Sequence, residues 1–186
     1  MDHLEIEFKI LINQETYEKI IADYQSKQID EYSQTNYYLF HDELDKRRYS
    51  LRIRYKKGKY ELTLKTPHDK GLNEYNLDID EKIKEQIFHH QKVSNKIFDF
   101  LEKENIHCED LICGSYLTTY RHDIPLENGL LSIDRNEYNH HVDYEIEFEV
   151  NDYEKGLKQF QQIIEPYGFI YKKNCLSKIR RMKQTL

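Results

Sequence analysis

The sequence predicts an α+β fold in which eight antiparallel strands close into a barrel with helices packed outside. Three observations predict it. Segments that alternate polar and apolar residues, the signature of half-buried strands, recur along the 186 residues. They number about eight, enough to close a barrel. They come mainly as hairpins, interrupted by helical stretches rather than alternating one-for-one with them, which selects antiparallel pairing. No linker, repeat or low-complexity stretch divides the chain, so residues 1–186 read as one domain.

The first strand sets Leu4, Ile6, Phe8 and Ile10 on one face and Glu5, Glu7 and Lys9 on the other. Asn13 is a helix cap, followed at helical spacing by Tyr17, Ile20, Ile21 and Tyr24. Asn36–Phe40 is an aromatic-rich strand. Leu51, Ile53 and Tyr55 alternate with Arg52, Arg54 and Lys56; Lys57-Gly58-Lys59 turns the chain, and the return strand sets Leu62 and Leu64 against Glu61, Thr63 and Lys65. Thr66-Pro67 is expected to end that strand, and 73–78, carrying Glu74, is the next. Residues 80–104 read as two helices with a restart at Ser94-Asn95. Strands resume at 115–123 and 130–135, about a Glu127-Asn128-Gly129 turn, and at 142–150. Asp152 caps a helix that Pro166 and Gly168 stop, and the tail carries Lys172, Lys173, Lys178, Arg180 and Arg181.

Composition bounds the function. A net charge of −6 excludes a general nucleic-acid binder, and no apolar run reaches a membrane span. The N-terminus lacks the basic and apolar regions of a signal peptide, and Cys108, Cys113 and Cys175 form no metal-type pair; reduced thiols in a cytoplasmic protein are the expectation. Adjacent His89-His90 and His140-His141 point apart and are not expected to share a metal. Lys178, Arg180 and Arg181 suggest a phosphate contact or a solvated helix end rather than a nucleic-acid patch.

The polar faces are the informative feature. One strand offers Glu5-x-Glu7-x-Lys9, another Glu145-x-Glu147-x-Glu149, and two more Arg52-x-Arg54 and Glu61-x-Thr63-x-Lys65. A wet outer face of a sheet would account for charge as such. It accounts less well for ladders of one sign. Two unit charges 4 Å apart cost about 4 kcal/mol at an effective dielectric near 20, and the spacing of about 7 Å along a strand only halves this. Carboxylates gathered in a confined site need a cation or a raised pKa. Carboxylates for Mg²⁺ or Mn²⁺, with Arg and Lys for phosphate oxygens, make a set suited to a metal–phosphate complex.

The ordered series His3-Leu4-Glu5-Ile6-Glu7-Phe8-Lys9, Tyr37-Tyr38, Leu51-Arg52-Ile53-Arg54, Leu62-Thr63-Leu64-Lys65, Glu74, Arg121, Asp134, Glu145-x-Glu147-x-Glu149, Lys172 and Ser177-Lys178 resembles the CYTH superfamily, the triphosphate tunnel metalloenzymes. The resemblance spans nearly the whole chain and implies the triphosphate tunnel fold, an eight-stranded tunnel open at both ends. It implies metal ligands at Glu5, Glu7, Asp134, Glu145, Glu147 and Glu149, the cofactor being Mg²⁺ or Mn²⁺. It implies triphosphate ligands at Lys9, Arg52, Arg54, Lys65, Arg121, Lys172 and Lys178, either tail lysine reaching the tunnel mouth. Lys9, Arg54 and Glu74 are implied to act on the reaction itself, with Glu74 orienting a basic partner or the attacking water.

The expected activity is metal-dependent hydrolysis of a small triphosphate, inorganic tripolyphosphate first, by direct water attack, because no Ser, Cys or His nucleophile constellation is evident. Thiamine triphosphatase activity, a class IV adenylyl cyclase and a nucleotide- or polyphosphate-binding module without turnover are the alternatives, and the fold alone does not choose among them. The expected partner is the small-molecule substrate, with no membrane and no nucleic acid; a homodimer is left open.

Overall fold

The strands are long, and their hydrogen-bonding order is circular. The computed structural model describes residues 2–27, 29–69 and 71–185, the side chains of Asp2 and His3 excepted. Its strands are β1 (Asp2–Ile12), β2 (Asp30–Phe40), β3 (Ser50–Lys56), β4 (Lys59–His68), β5 (Gly71–Ile79), β6 (Ile112–Leu126), β7 (Gly129–Tyr138) and β8 (His141–Val150). They form a closed barrel in the order β1-β5-β4-β3-β2-β6-β7-β8. Every strand pair whose register is described is antiparallel.

Helices α1 (Gln14–Tyr24), α2 (Asp42–Lys46), α3 (Glu81–Phe88), α4 (Lys96–Lys103), α5 (Tyr153–Ile164) and α6 (Lys178–Lys183) complete the fold. Their starts follow side-chain capping. Asn13, Asp80, Asn95 and Asp152 each accept a backbone N–H of the first turn that has no partner within the helix.

Two compact units carry the chain. The first comprises residues 1–4 and 34–116, the second 5–33 and 117–186. In the first unit the alternation of β3 and β4 sends Leu51, Ile53, Leu62 and Leu64 into a core with Ile87 of α3 and Ile97, Phe98 and Leu101 of α4. In the second, Phe8, Ile133, Ile146 and Phe148 pack with Ile20 of α1 and with Phe160, Ile163 and Ile164 of α5. Apolar residues of each strand thus meet helices, and the charged residues lie on the opposite side of the same strands.

The β3–β4 and β7–β8 hairpins turn on Lys57-Gly58 and Asn139-His140. All four residues have positive φ, the condition for a type I′ turn that matches strand twist. Two sequence expectations change. β4 does not end at Thr66-Pro67: Pro67 continues the ladder opposite Leu72, where its side chain is exposed. Arg181 is not at a solvated helix end, since it is buried in α6 with paired charges.

Candidate functional site

Each unit carries one charged cluster on the side of its strands away from the helices. In the second unit, register fixes the cluster. Lys9, Glu147, Ser132 and Asp123 stand in one cross-strand row, and Leu11, Glu145, Asp134 and Arg121 in the next. Asp143, Asn136 and Thr119 form a third. Period-two spacing keeps all three rows on one face.

Asp134, Glu145 and Glu147 each offer an oxygen within 4.8 Å of the others, and Asp134 and Glu145 are fully buried. Arg121 reads Asp134 with both arms of its fork, Nε to Oδ1 at 2.7 Å and Nη2 to Oδ2 at 2.6 Å, and also donates to Glu147. Lys178 of α6 places its ammonium 2.8 Å from Asp134 Oδ2 and 2.8 Å from Glu147 Oε1, in contact with Glu145 Oε1. Lys9 pairs with Glu7.

The protonation pattern follows from burial against pairing. Burial opposes charge on Asp134, but Arg121 and Lys178 hold its carboxyl well below the usual carboxylate range. Burial raises Glu147, and the charges of Glu7 and Asp134 add to this against Arg121. Burial draws Lys178 down to about 7, helped by Arg121 and opposed by Asp134. Burial would also lower Lys9, yet Glu7 and Glu147 carry it above its ordinary value.

In the first unit, Asn36, Arg54, Glu61 and Asp78 form one row, Tyr38, Arg52, Thr63 and Asn76 the next, and Ser50, Lys65 and Glu74 a third. Arg54 Nε donates to Asn36 Oδ1 at 3.3 Å and Nη1 lies 3.7 Å from Glu61. Lys65 pairs with Glu74 at 2.8 Å, and Asn76 Nδ2 donates to Glu74 Oε1 at 2.7 Å. Burial opposes charge on Glu74, but Lys65 and Arg52 hold it well below the carboxylate range.

The sequence-derived residues therefore sort as follows. Asp134, Glu145, Glu147, Arg121 and Lys178 converge, with Glu7 and Lys9 paired on the neighbouring strand β1. Glu5 is buried on β1, beyond the stretch of that strand paired with β8. Arg52, Arg54, Lys65 and Glu74 gather within the other unit. Glu149 is exposed and outside the acidic group, and Lys172 is exposed, which leaves Lys178 as the tail lysine at the carboxylates. Sequence reasoning missed Asp143 and Arg181, which pair at 2.8 Å. The signals were present: Asp143 extends the acidic ladder by one period, and Arg181 follows Lys178 by three residues on a helix.

The donor set suits the implied cofactor. Three clustered carboxylates are hard oxygen ligands, the chemistry of Mg²⁺ and Mn²⁺, and their charge in a buried place calls for cations. Among the described residues, no helix is long and apolar enough to cross a membrane.

The Bacillus subtilis (strain 168) protein YjbK, provisionally named a triphosphatase, is 32% identical over 167 residues, 89% of this chain and 87% of its own. A Bacillus halodurans crystal structure, provisionally described as an adenylate cyclase, is 32% identical with a TM-score of 0.87 and 97% of each chain covered. The Hippeastrum protein HpAC1, a provisional adenylyl cyclase described as having a dominant triphosphatase activity, is 20% identical, with a TM-score of 0.77 over 97% of this chain and 96% of its own; at that identity it speaks to the fold alone. The family model for the CYTH domain matches residues 3–181, and the chain belongs to that family.

Proposed function

We propose that this chain is a divalent-metal-dependent triphosphatase with inorganic tripolyphosphate as substrate, working as a single CYTH domain. The observation that carries the proposal is the Asp134–Glu145–Glu147 carboxylate group threaded by Arg121 and Lys178. The name of the B. subtilis relative supports the reaction class.

Asp134, Glu145 and Glu147, with Glu5 and Glu7 of β1, would hold Mg²⁺ or Mn²⁺. The bound metal would supply charge neutralisation at phosphate oxygens and a more acidic water. Lys9 and Arg121 of the second unit bind phosphate oxygens, and the first unit carries its own basic set in Arg52, Arg54 and Lys65. Asn36 and Glu61 steady the Arg54 fork. Glu74, kept ionised by Lys65 and Arg52, is a poor proton acceptor and orients Lys65 instead. Cys175 lies 3.8 Å from Glu145 but burial raises its thiol, so it is held protonated and direct water attack is favoured over a thiolate nucleophile.

The test is phosphate release from tripolyphosphate, thiamine triphosphate and ATP, each with Mg²⁺, Mn²⁺ or chelator. Metal-dependent release, fastest from tripolyphosphate, is expected. Absence of release from all three would overturn the reading. Cyclic AMP formation from ATP would favour the cyclase reading that the B. halodurans name supports.

A further inference from the structure

The carboxylates assigned to metal already hold a cation belonging to the chain. Lys178 touches one oxygen each of Asp134, Glu145 and Glu147. It is presented by α6, only six residues long, and a helix that short does not persist in water unaided. Arg181 anchors it. This residue is 6% exposed and lies one helical turn beyond Lys178. Its Nε donates to Asp143 Oδ2 at 2.8 Å and its Nη2 to Oδ1 at 3.2 Å, while Nη1 lies 2.8 Å from Glu145 Oε2 and donates to the Leu176 carbonyl. Asp143 is itself fixed, accepting from Tyr138 Oη and from Asn136 Nδ2 at 3.0 Å.

Glu145 is thus divided. Its Oε2 faces Arg181, which draws mainly on Asp143, and its Oε1 faces Lys178. A divalent cation on the three carboxylates and the Lys178 ammonium draw on the same negative charge, whereas Arg181 meets only Oε2 of Glu145 and keeps both oxygens of Asp143 as further partners.

We propose that Lys178 is an internal competitor for divalent metal at Asp134, Glu145 and Glu147, and that Arg181 is the positioning residue that keeps α6 docked when the ammonium yields. The proposal rests on the metal assignment above, and its test reads metal and backbone rather than turnover.

Mn²⁺ binding is measured without triphosphate, by the electron paramagnetic resonance of free Mn²⁺, on wild type, Lys178→Gln and Lys178→Arg. The glutamine variant, which removes one competing unit charge, should bind Mn²⁺ about tenfold more tightly, and the arginine variant, which keeps it, within about twofold of wild type. Hydrogen exchange over residues 178–183 is followed in parallel. Saturating Mn²⁺ should leave it unchanged in wild type, Arg181→Met should raise it even without metal, and Arg181→Lys should fall between them; the lysine variant also serves if the methionine one does not fold. Mn²⁺ binding to Lys178→Gln no tighter than to wild type overturns the competitor role. Release of α6 by Mn²⁺ in wild type overturns the anchor role. Failure of both wild type and Lys178→Gln to bind Mn²⁺ overturns the metal assignment itself, a different result from either.

Discussion

Asp134 and Glu147 are neighbours with opposite electrostatic histories, and the difference sets what their amides would do. The ionised form of Asp134 is stabilised in the fold by Arg121 and Lys178. Its folded pKa lies below the ordinary 3.8, so its contribution to stability is present above about pH 3.8 and is lost as pH falls further. Asp134→Asn should destabilise the protein by about 3–5 kcal/mol at pH 7, by stranding buried partners. Urea midpoints of variant and wild type should converge as the pH is lowered below 3.8. Glu147 is the reverse: burial raises it, so at neutral pH its charge costs stability. Glu147→Gln, which also loses contacts to Arg121 and Lys178, should therefore cost less stability than Asp134→Asn, while its metal-dependent phosphate release falls by about 10–100-fold or more, the usual effect of disturbing a metal site.

At the scale of elements, close approach decides more than propensity. Gly156 lies in α5, where a built Cβ would stand 2.6 Å from Val150 Cγ2 of β8. Gly→Ala in a helix gains about 1 kcal/mol, whereas forcing atoms into a filled core costs about 1–3 kcal/mol. Gly156→Ala should therefore lower the thermal midpoint, a result that calorimetry reads directly. Elements were legible in the sequence where a local rule acted alone. Asn13, Asn95 and Asp152 announced helices because a short acceptor side chain precedes an apolar periodicity, and Lys57-Gly58 announced a hairpin because glycine accepts positive φ. The matching turn at Asn139-His140 was hidden, because His140 takes φ 64° without glycine's freedom. Pro67 misled in the same way: its missing N–H suggested a strand end, but it lies past Lys65, where the described pairing of β4 with β3 stops, and an edge free on one side tolerates it.

For the whole molecule, the barrel and its charged faces were readable because period-two alternation sorts each strand into a helix side and a charged side before any contact is known. Alternation alone does not say which acids converge, because that depends on cross-strand register; the family resemblance supplied Asp134, Glu145 and Glu147, together with Glu149. Glu149 continues the ladder of Glu145 and Glu147 yet is exposed, while Asp134 enters the group from β7 opposite Glu145. A ligand that binds only the folded protein raises its stability as a whole, by about 2.7 kcal/mol at a concentration one hundred times its Kd. Mn²⁺ with tripolyphosphate should thus raise the melting temperature beyond Mn²⁺ alone, and an unshifted midpoint would count against substrate binding to the native state.

The C-terminal segment is tied to the first strand. Asn174 Oδ1 accepts the Lys9 N–H at 2.7 Å, its Nδ2 donates to the Glu7 carbonyl at 3.0 Å, and the Cys175 N–H donates to the Lys9 carbonyl at 3.2 Å. Lys178 and Arg181 follow immediately. During synthesis these two cations leave the ribosome only after every acid they neutralise has emerged. A nascent chain, or one cut short by a premature stop codon before Lys178, would have to close its barrel around Glu145 and Asp143 without the cations that pair with them. Such a product is expected to be a ready target for cellular proteases.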